Sequence, residues 1–337
     1  VRSLATVVAL GLALVLTLLM FGLPVADSLR LLGEGAFGDK YGISRTLAKA
    51  TPLLLTGLGM VIAWRAGMYN IGGEGQLIVG AVGGAAVAAA LMGKVVGPVL
   101  NPLILAAAMA AGALWSGFAG WLQVARGVPA VISTILLNFV AIQLLAWTVQ
   151  GPLRRSDGGL PQTAPLPADT MLLKFDRQLD LHFGIVIAVI VVLLVTAFLY
   201  GTRSGFRLRL VGASSTAARA NRIPSERVAI GSMMLSGALC GLAGGVEYTG
   251  ITGMLGTGFP QGWGFLAIPV ALLGGLHPLG VLLSGLYFGA LFAGSENLAR
   301  FSTGGTTLIY VIQAAAVLAV VALAPRAKPA KVKEAAA

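Results

Sequence analysis

Long apolar runs separated by short polar breaks make up most of this chain. A helix needs about 20 mainly apolar residues to cross a hydrocarbon core. Ten runs meet or approach that length, at about 4–23, 46–66, 71–92, 102–125, 130–149, 183–201, 229–248, 263–276, 278–298 and 307–324. The second and third nearly touch, and the eighth is short. The first follows Arg2 and lacks a small-residue cleavage site leading into soluble sequence, so it reads as a retained anchor. The pattern predicts an all-α membrane protein of about ten transmembrane helices, forming one polytopic domain over 1–324 with a basic tail at 325–337.

Composition agrees with this reading. Of 337 residues, 57% are hydrophobic and 10% charged, against about a quarter charged in soluble domains. As a soluble monomer the chain would expose apolar patches far beyond a few hundred Å². The net charge of +11 would suggest a polyanionic partner in a soluble protein, but its distribution follows topology. With the N-terminus inside, the inside segments hold 13 Lys and Arg against two acids, and the outside segments hold ten against eight. Lys and Arg near span ends set orientation, so both termini are expected inside and no nucleic-acid partner is expected. The tail suits anionic lipid, or simply sets topology.

Two extramembrane segments are long. The outside loop at 150–182 carries Pro152, Pro161, Pro165 and Pro167 among alternating charges. The inside segment at 202–228 holds six arginines, from Arg203 to Arg227, and a helix-prone stretch from Ser214 to Asn221 that Pro224 should end at or before Ile223. A short helix on that face suits docking of a soluble partner, and an ordinary basic loop would carry the same charge.

The polar breaks carry the candidate chemistry. Between the second and third spans lies Arg65-Ala66-Gly67-Met68-Tyr69-Asn70-Ile71-Gly72-Gly73-Glu74-Gly75-Gln76, which makes a poor lipid-facing helix. Irregular backbone at membrane depth must be buried in protein or line a wet cavity, and discontinuous helices often mark transporter substrate sites. Asn70 and Glu74 suit either capping of the next helix or substrate contact. Gln76 can read a polar ligand or bridge helices. Ser133, Thr134 and Asn138 interrupt the fifth span; the hydroxyls can bond their own helix, whereas Asn138 needs another partner. A second glycine-broken zone runs from Gly241 through Glu247 to Gly264, where Phe259 and Trp263 can stack on a planar ligand or anchor an interface.

Close helix approach is signalled by Gly80xxxGly84, Gly237xxxGly241xxxGly245 and Gly285xxxGly289. Leu55-Thr56-Gly57 and Leu235-Ser236-Gly237 open the second and seventh spans, which run in opposite directions, so spans two to five and seven to ten are candidate inverted repeats. The lone Cys240 reads as packing. There is no nucleotide-binding GxxxxGK[ST] loop. His182, His277, one cysteine and two intramembrane carboxylates make no metal site and no catalytic set. A permease is therefore favoured over an enzyme, with an ion-coupled secondary transporter for a small polar solute as the alternative.

Asn70-Ile71-Gly72-Gly73-Glu74-Gly75-Gln76 resembles the signature of ABC importer permeases of the branched-chain amino acid and ribose class, in the nucleoside (simple sugar) branch. Val131 to Asn138, Leu235 to Glu247 and Ala267 to Gly275 fit the same family in the same order. The resemblance implies alternating access for nucleosides or simple sugars in a bacterial cytoplasmic (inner) membrane. It implies a second permease, with Gln76 favouring a heterodimer. It further implies two ATP-binding cassette subunits, or one with two cassettes, which hold ATP and Mg, and an external substrate-binding protein; this chain itself would bind no cofactor. The implied pathway residues are Asn70, Glu74, Gln76, Asn138, Glu247, Phe259 and Trp263. The implied coupling segment includes Gly212, Ala218, Arg219, Arg222, Ile223 and Pro224, with Arg222 standing where the family usually has glycine.

Overall fold

The computed structural model describes residues 2–156, 159–259, 262–302 and 305–323. Asp157, Pro260, Gln261 and the basic tail at 325–337 lie outside these. The described residues form thirteen α-helices in order: α1 (Arg2–Met20), α2 (Val25–Phe37), α3 (Lys40–Arg65), α4 (Gly73–Leu91), α5 (Gly97–Arg126), α6 (Ala130–Gln150), α7 (Gly184–Gly201), α8 (Arg203–Ala213), α9 (Ser215–Ala220), α10 (Ser225–Glu247), α11 (Trp263–Leu273), α12 (Pro278–Arg300) and α13 (Gly305–Leu323). A π-helical turn, Tyr248–Thr252, continues α10. No strand occurs among the described residues.

Among the described residues seven helices are long and apolar enough to cross a membrane: α3 to α7, α10 with its π turn, and α12. Together with α1, α11 and α13, every one of the ten expected spans is a helix. α11 has 11 residues, about 16 Å of rise, or half a hydrocarbon core. Pro269 sits within it without ending it, and Pro278 occupies the first turn of α12.

One helix lies where the sequence pattern indicated only an outside segment. α2 leaves α1 at a bend of 116° and buries Ser28, Leu32, Gly35 and Ala36, an i, i+4, i+7, i+8 stripe. Its backbone is pinned to α12, with Asn297 Nδ2 donating to Leu31 O at 2.9 Å.

The helix contacts follow the same pattern in the two halves. α10 packs on α5 as α3 packs on α12, and α10 packs on α4 as α3 packs on α11. α6 lies against α4 and α5 as α13 lies against α11 and α12, while α3 meets α10 and α4 meets α11. The predicted glycine contacts hold this core together. Gly241 sits where α5 and α4 both cross α10, and a Cβ on Gly80 or Gly112 would collide with its backbone, so no larger residue allows that approach.

Each membrane-facing end has its own character. On the loop face the 151–183 segment is tied to the end of α10: Leu166 N donates to Gly253 O at 2.8 Å and Leu172 N to Thr249 O at 2.9 Å. His182 is buried there, its Nδ1 accepting from Gly184 N at 3.0 Å. Burial, aided by Lys174, holds its pKa down to about 4. The opposite, arginine face carries α8 and α9, capped by Thr202 and Ser214.

Candidate functional site

After α3 the chain re-enters the protein through Ala66–Gly72 before α4 begins. Such backbone has no water to satisfy it, and side chains do so instead. Trp64 Nε1 donates to Asn70 O at 2.9 Å. Ile71 N donates to Thr134 Oγ1 at 3.2 Å, and Asn138 Nδ2 donates to Ile71 O at 3.1 Å. Gly72 N donates to Asn70 Oδ1, and Gly75 N to Asn138 Oδ1, both at 2.8 Å. Asn70 and Gln76 face each other amide to amide at 2.9 and 3.0 Å, and Asn70 also donates to Ser236 Oγ on α10 at 2.9 Å. All four bonding positions of Asn70 are thereby filled, and Asn70, Gln76 and Asn138 are buried.

Glu74 joins the two half-sites. It lies in the first turn of α4, and its carboxylate accepts from Gly262 N at 3.2 Å and Gly264 N at 2.6 Å. It thus caps α11 from a neighbouring helix, placing one anion between two positive helix ends. The approach is so close that a Cβ on Gly264 would strike the Glu74 backbone.

The second break, between α10 and α11, is built differently. Beside it a cavity of about 180 Å³ is lined by Arg45, Lys49, Asp180, Glu247, Trp263 and Glu296, with Ala48 and Ile251. Lys49 Nζ bonds Glu296 Oε1 at 2.6 Å, joining α3 to α12, and lies 5.9 Å from the Trp263 ring centroid. Trp263 packs on Phe292 with centroids 5.7 Å apart, and its buried indole Nε1 has no hydrogen-bond partner among the described residues. Glu247, 5% exposed, feels the charge of Lys49. The cavity therefore offers an aromatic side chain, two cations and three carboxylates, while the indole Nε1 is itself buried. Phe259 is buried in the core and does not line it.

The sequence reading thus named both breaks, and the geometry separates them. Asn70, Gln76 and Asn138 are spent on protein groups, Glu74 caps α11, and Glu247 and Trp263 face open volume. Arg45, Lys49, Asp180 and Glu296 were missed. Lys49 and Glu296 were readable as charges beside apolar runs, but their convergence on one cavity is a tertiary fact.

On the arginine face, α9 runs over Ser215–Ala220 and ends before Pro224, as expected. Ile223 N closes the turn onto Ala218 O at 3.0 Å. Arg222 takes φ +57°, the left-handed conformation that glycine adopts without strain, which accounts for the residue usual at this position. Ala218 is buried, while Arg219, Arg222 and Pro224 are exposed. Gly212 packs against the Arg65 and Gly67 backbone, so the end of α8 touches the start of the first break.

A family model described as "Branched-chain amino acid transport system / permease component" matches residues 42–321. The glucose ABC transporter permease protein TsgB13 of Haloferax volcanii is 33% identical over 83% of this chain and 76% of its own length. The guanosine ABC transporter permease protein NupP of Bacillus subtilis is 32% identical over 86% of this chain and 84% of its own. NupQ, a second guanosine permease protein of that bacterium, is 29% identical over 73% of this chain and 79% of its own. No solved structure matches the chain.

Proposed function

Because the chain belongs to the branched-chain amino acid transport system permease family, we propose that it forms half of the translocation pathway of an ATP-driven importer for nucleosides or neutral sugars. The cavity beside Trp263 carries this reading. An aromatic plane suits the flat face of a base or the C–H face of a sugar, and the carboxylates suit hydroxyls. Three carboxylates against two cations disfavour a phosphorylated cargo. The cavity is smaller than the roughly 300 Å³ of ordinary ligand pockets, so entry requires α3 and α12 to part at the Lys49–Glu296 bridge. Asn70, Gln76 and Asn138 act by holding the pathway wall, and Phe259 by packing behind it.

The remaining parts of the machine follow from the same premise. ATP and Mg belong to two cassette subunits, or one with two cassettes, docking at Arg219, Arg222, Ile223 and Pro224, while Ala218 and Gly212 seat that segment on the body. Movement of α8 and α9 would reach the first break through Gly212 and Gly67, and from there the Glu74 cap of α11, a contiguous packed route. Two different guanosine permeases in one bacterium support a distinct second permease. An external binding protein would deliver cargo to the loop face, with both termini in the cytoplasm and the chain in the inner membrane. No observation favours the ion-coupled alternative.

Reconstitution with these partners in vesicles, followed by uptake of radiolabelled guanosine and glucose, tests the proposal. Uptake that requires ATP is expected, and uptake by this chain alone without ATP would overturn it. Arg219→Glu is expected to abolish copurification of the ATPase, and unchanged copurification and uptake would refute the docking surface.

A further inference from the structure

A groove of about 860 Å³ on the arginine face lies between the end of α7, helix α8 and the turn after α9. Its charged wall is Arg203, Arg207, Arg209 and Arg222, with Tyr200 and Phe206 beside them, and no carboxylate lines it. None of these arginines makes an ion pair among the described residues, and the buried Arg209 Nε has no hydrogen-bond partner. The floor is fixed: the Arg209 guanidinium lies 4.9 Å from the Tyr200 ring centroid, and Tyr200 stacks on His277 at 5.0 Å. Four uncompensated guanidiniums on a rigid base form a site for an oxyanion, and guanidinium forks match phosphate geometry.

The surroundings indicate which oxyanion. Tyr200 lies in the last turn of the membrane-spanning α7, and the exposed residues Ile190, Leu193, Leu194, Ala197 and Tyr200 form one outward apolar stripe leading up to the groove. Phe206 on α8 is 56% exposed beside Arg203 and Arg207, the pairing of apolar and basic groups found on helices lying in a membrane interface. A soluble protein partner needs no acyl-length apolar track below its charge site, whereas a phospholipid does.

We propose that this groove binds the phosphate of an anionic phospholipid whose chains run down the outward stripe of α7. The lipid would fill the space between α8 and the Arg222 turn. It would thereby brace the segment whose end, at Gly212, presses on the first break.

The test counts phosphatidylglycerol retained by the purified full-length protein in detergent, by native mass spectrometry, after exchange from mixed phosphatidylglycerol and phosphatidylcholine micelles. The intact protein should retain phosphatidylglycerol in preference to phosphatidylcholine, and retention should fall as salt rises. Arg203→Ala/Arg207→Ala should weaken retention about tenfold or more, since each basic residue near an anionic headgroup contributes comparably. Lys94→Ala/Arg154→Ala, on the loop face, should change nothing. Arg203→Lys/Arg207→Lys keeps the charge and serves if the alanine pair does not fold; it should retain lipid with intermediate strength. Equal retention of both lipids, salt-insensitive retention, or displacement by millimolar inorganic phosphate alone would overturn the lipid assignment. So would unchanged lipid retention by the alanine pair with loss of ATPase copurification, which would make the groove a protein-docking site.

Discussion

Two breaks interrupt the chain, one after α3 and one after α10, and they are finished in opposite ways. Between α3 and α4 the break is short, and Trp64, Asn70, Thr134 and Asn138 side chains answer the backbone groups of Asn70, Ile71, Gly72 and Gly75. Between α10 and α11 the chain first widens into a π turn and then borders a charged cavity lined by Glu247 and Trp263. π-helical turns inside helices often accompany functional sites. One half thus uses its polar residues to close irregular backbone, and the other leaves polar groups facing open volume. Polar residues at membrane depth therefore need sorting by whether the protein already satisfies them.

Substitutions can break this comparison at each side. The largest effect is expected at the closed break: Asn138→Leu leaves Gly75 N and Ile71 O buried without partners, at a cost of about 1–3 kcal/mol each. Thermal unfolding in detergent should show a large loss of stability, and normal stability would refute the structural role of the amides. At the open break Glu247→Gln should leave unfolding nearly unchanged while ATP-driven uptake at low substrate falls about tenfold or more. A large loss of stability instead would make Glu247 structural too.

Smaller effects concern the two faces. His182 titrates near pH 4 when buried, below its ordinary 6.5, so the unfolded chain binds more protons between those values. Its contribution to stability is complete above pH 6.5 and is lost as pH falls toward 4. A pH series of unfolding midpoints should show this slope, and His182→Asn should flatten that part of it. On the other face Arg222→Gly should stabilise the protein by about 1 kcal/mol, relieving the left-handed strain. A destabilised variant would contradict that account of the turn.

Much of the fold was legible in the sequence because apolar length is a direct consequence of the bilayer. The ten runs became ten helices, and Gly237xxxGly241xxxGly245 marked a true close approach. α2 was missed because Asp27, Arg30 and Glu34 mask its buried stripe when only long apolar runs are sought. Asn70, Glu74 and Asn138 stood out as polar breaks, yet sequence cannot show that Asn138 reaches Ile71 and Gly75 while Glu74 caps a helix nearly 190 residues away. Lys49 and Glu296 lie 247 positions apart, and only the crossing of α3 with α12 makes them a pair. Arg222 was visible as a departure from a family pattern, but its φ supplied the reason.

The claim that cargo binds at the open break and not at the closed one is tested most directly by the KM of ATP-driven uptake for whichever of guanosine and glucose is carried. In the reconstituted complex, Trp263→Phe trims the indole that lines the cavity to a smaller aromatic ring. The account predicts a KM raised several-fold or more with an unfolding midpoint close to that of the parent. An unchanged KM for this variant and for Glu247→Gln alike would contradict it.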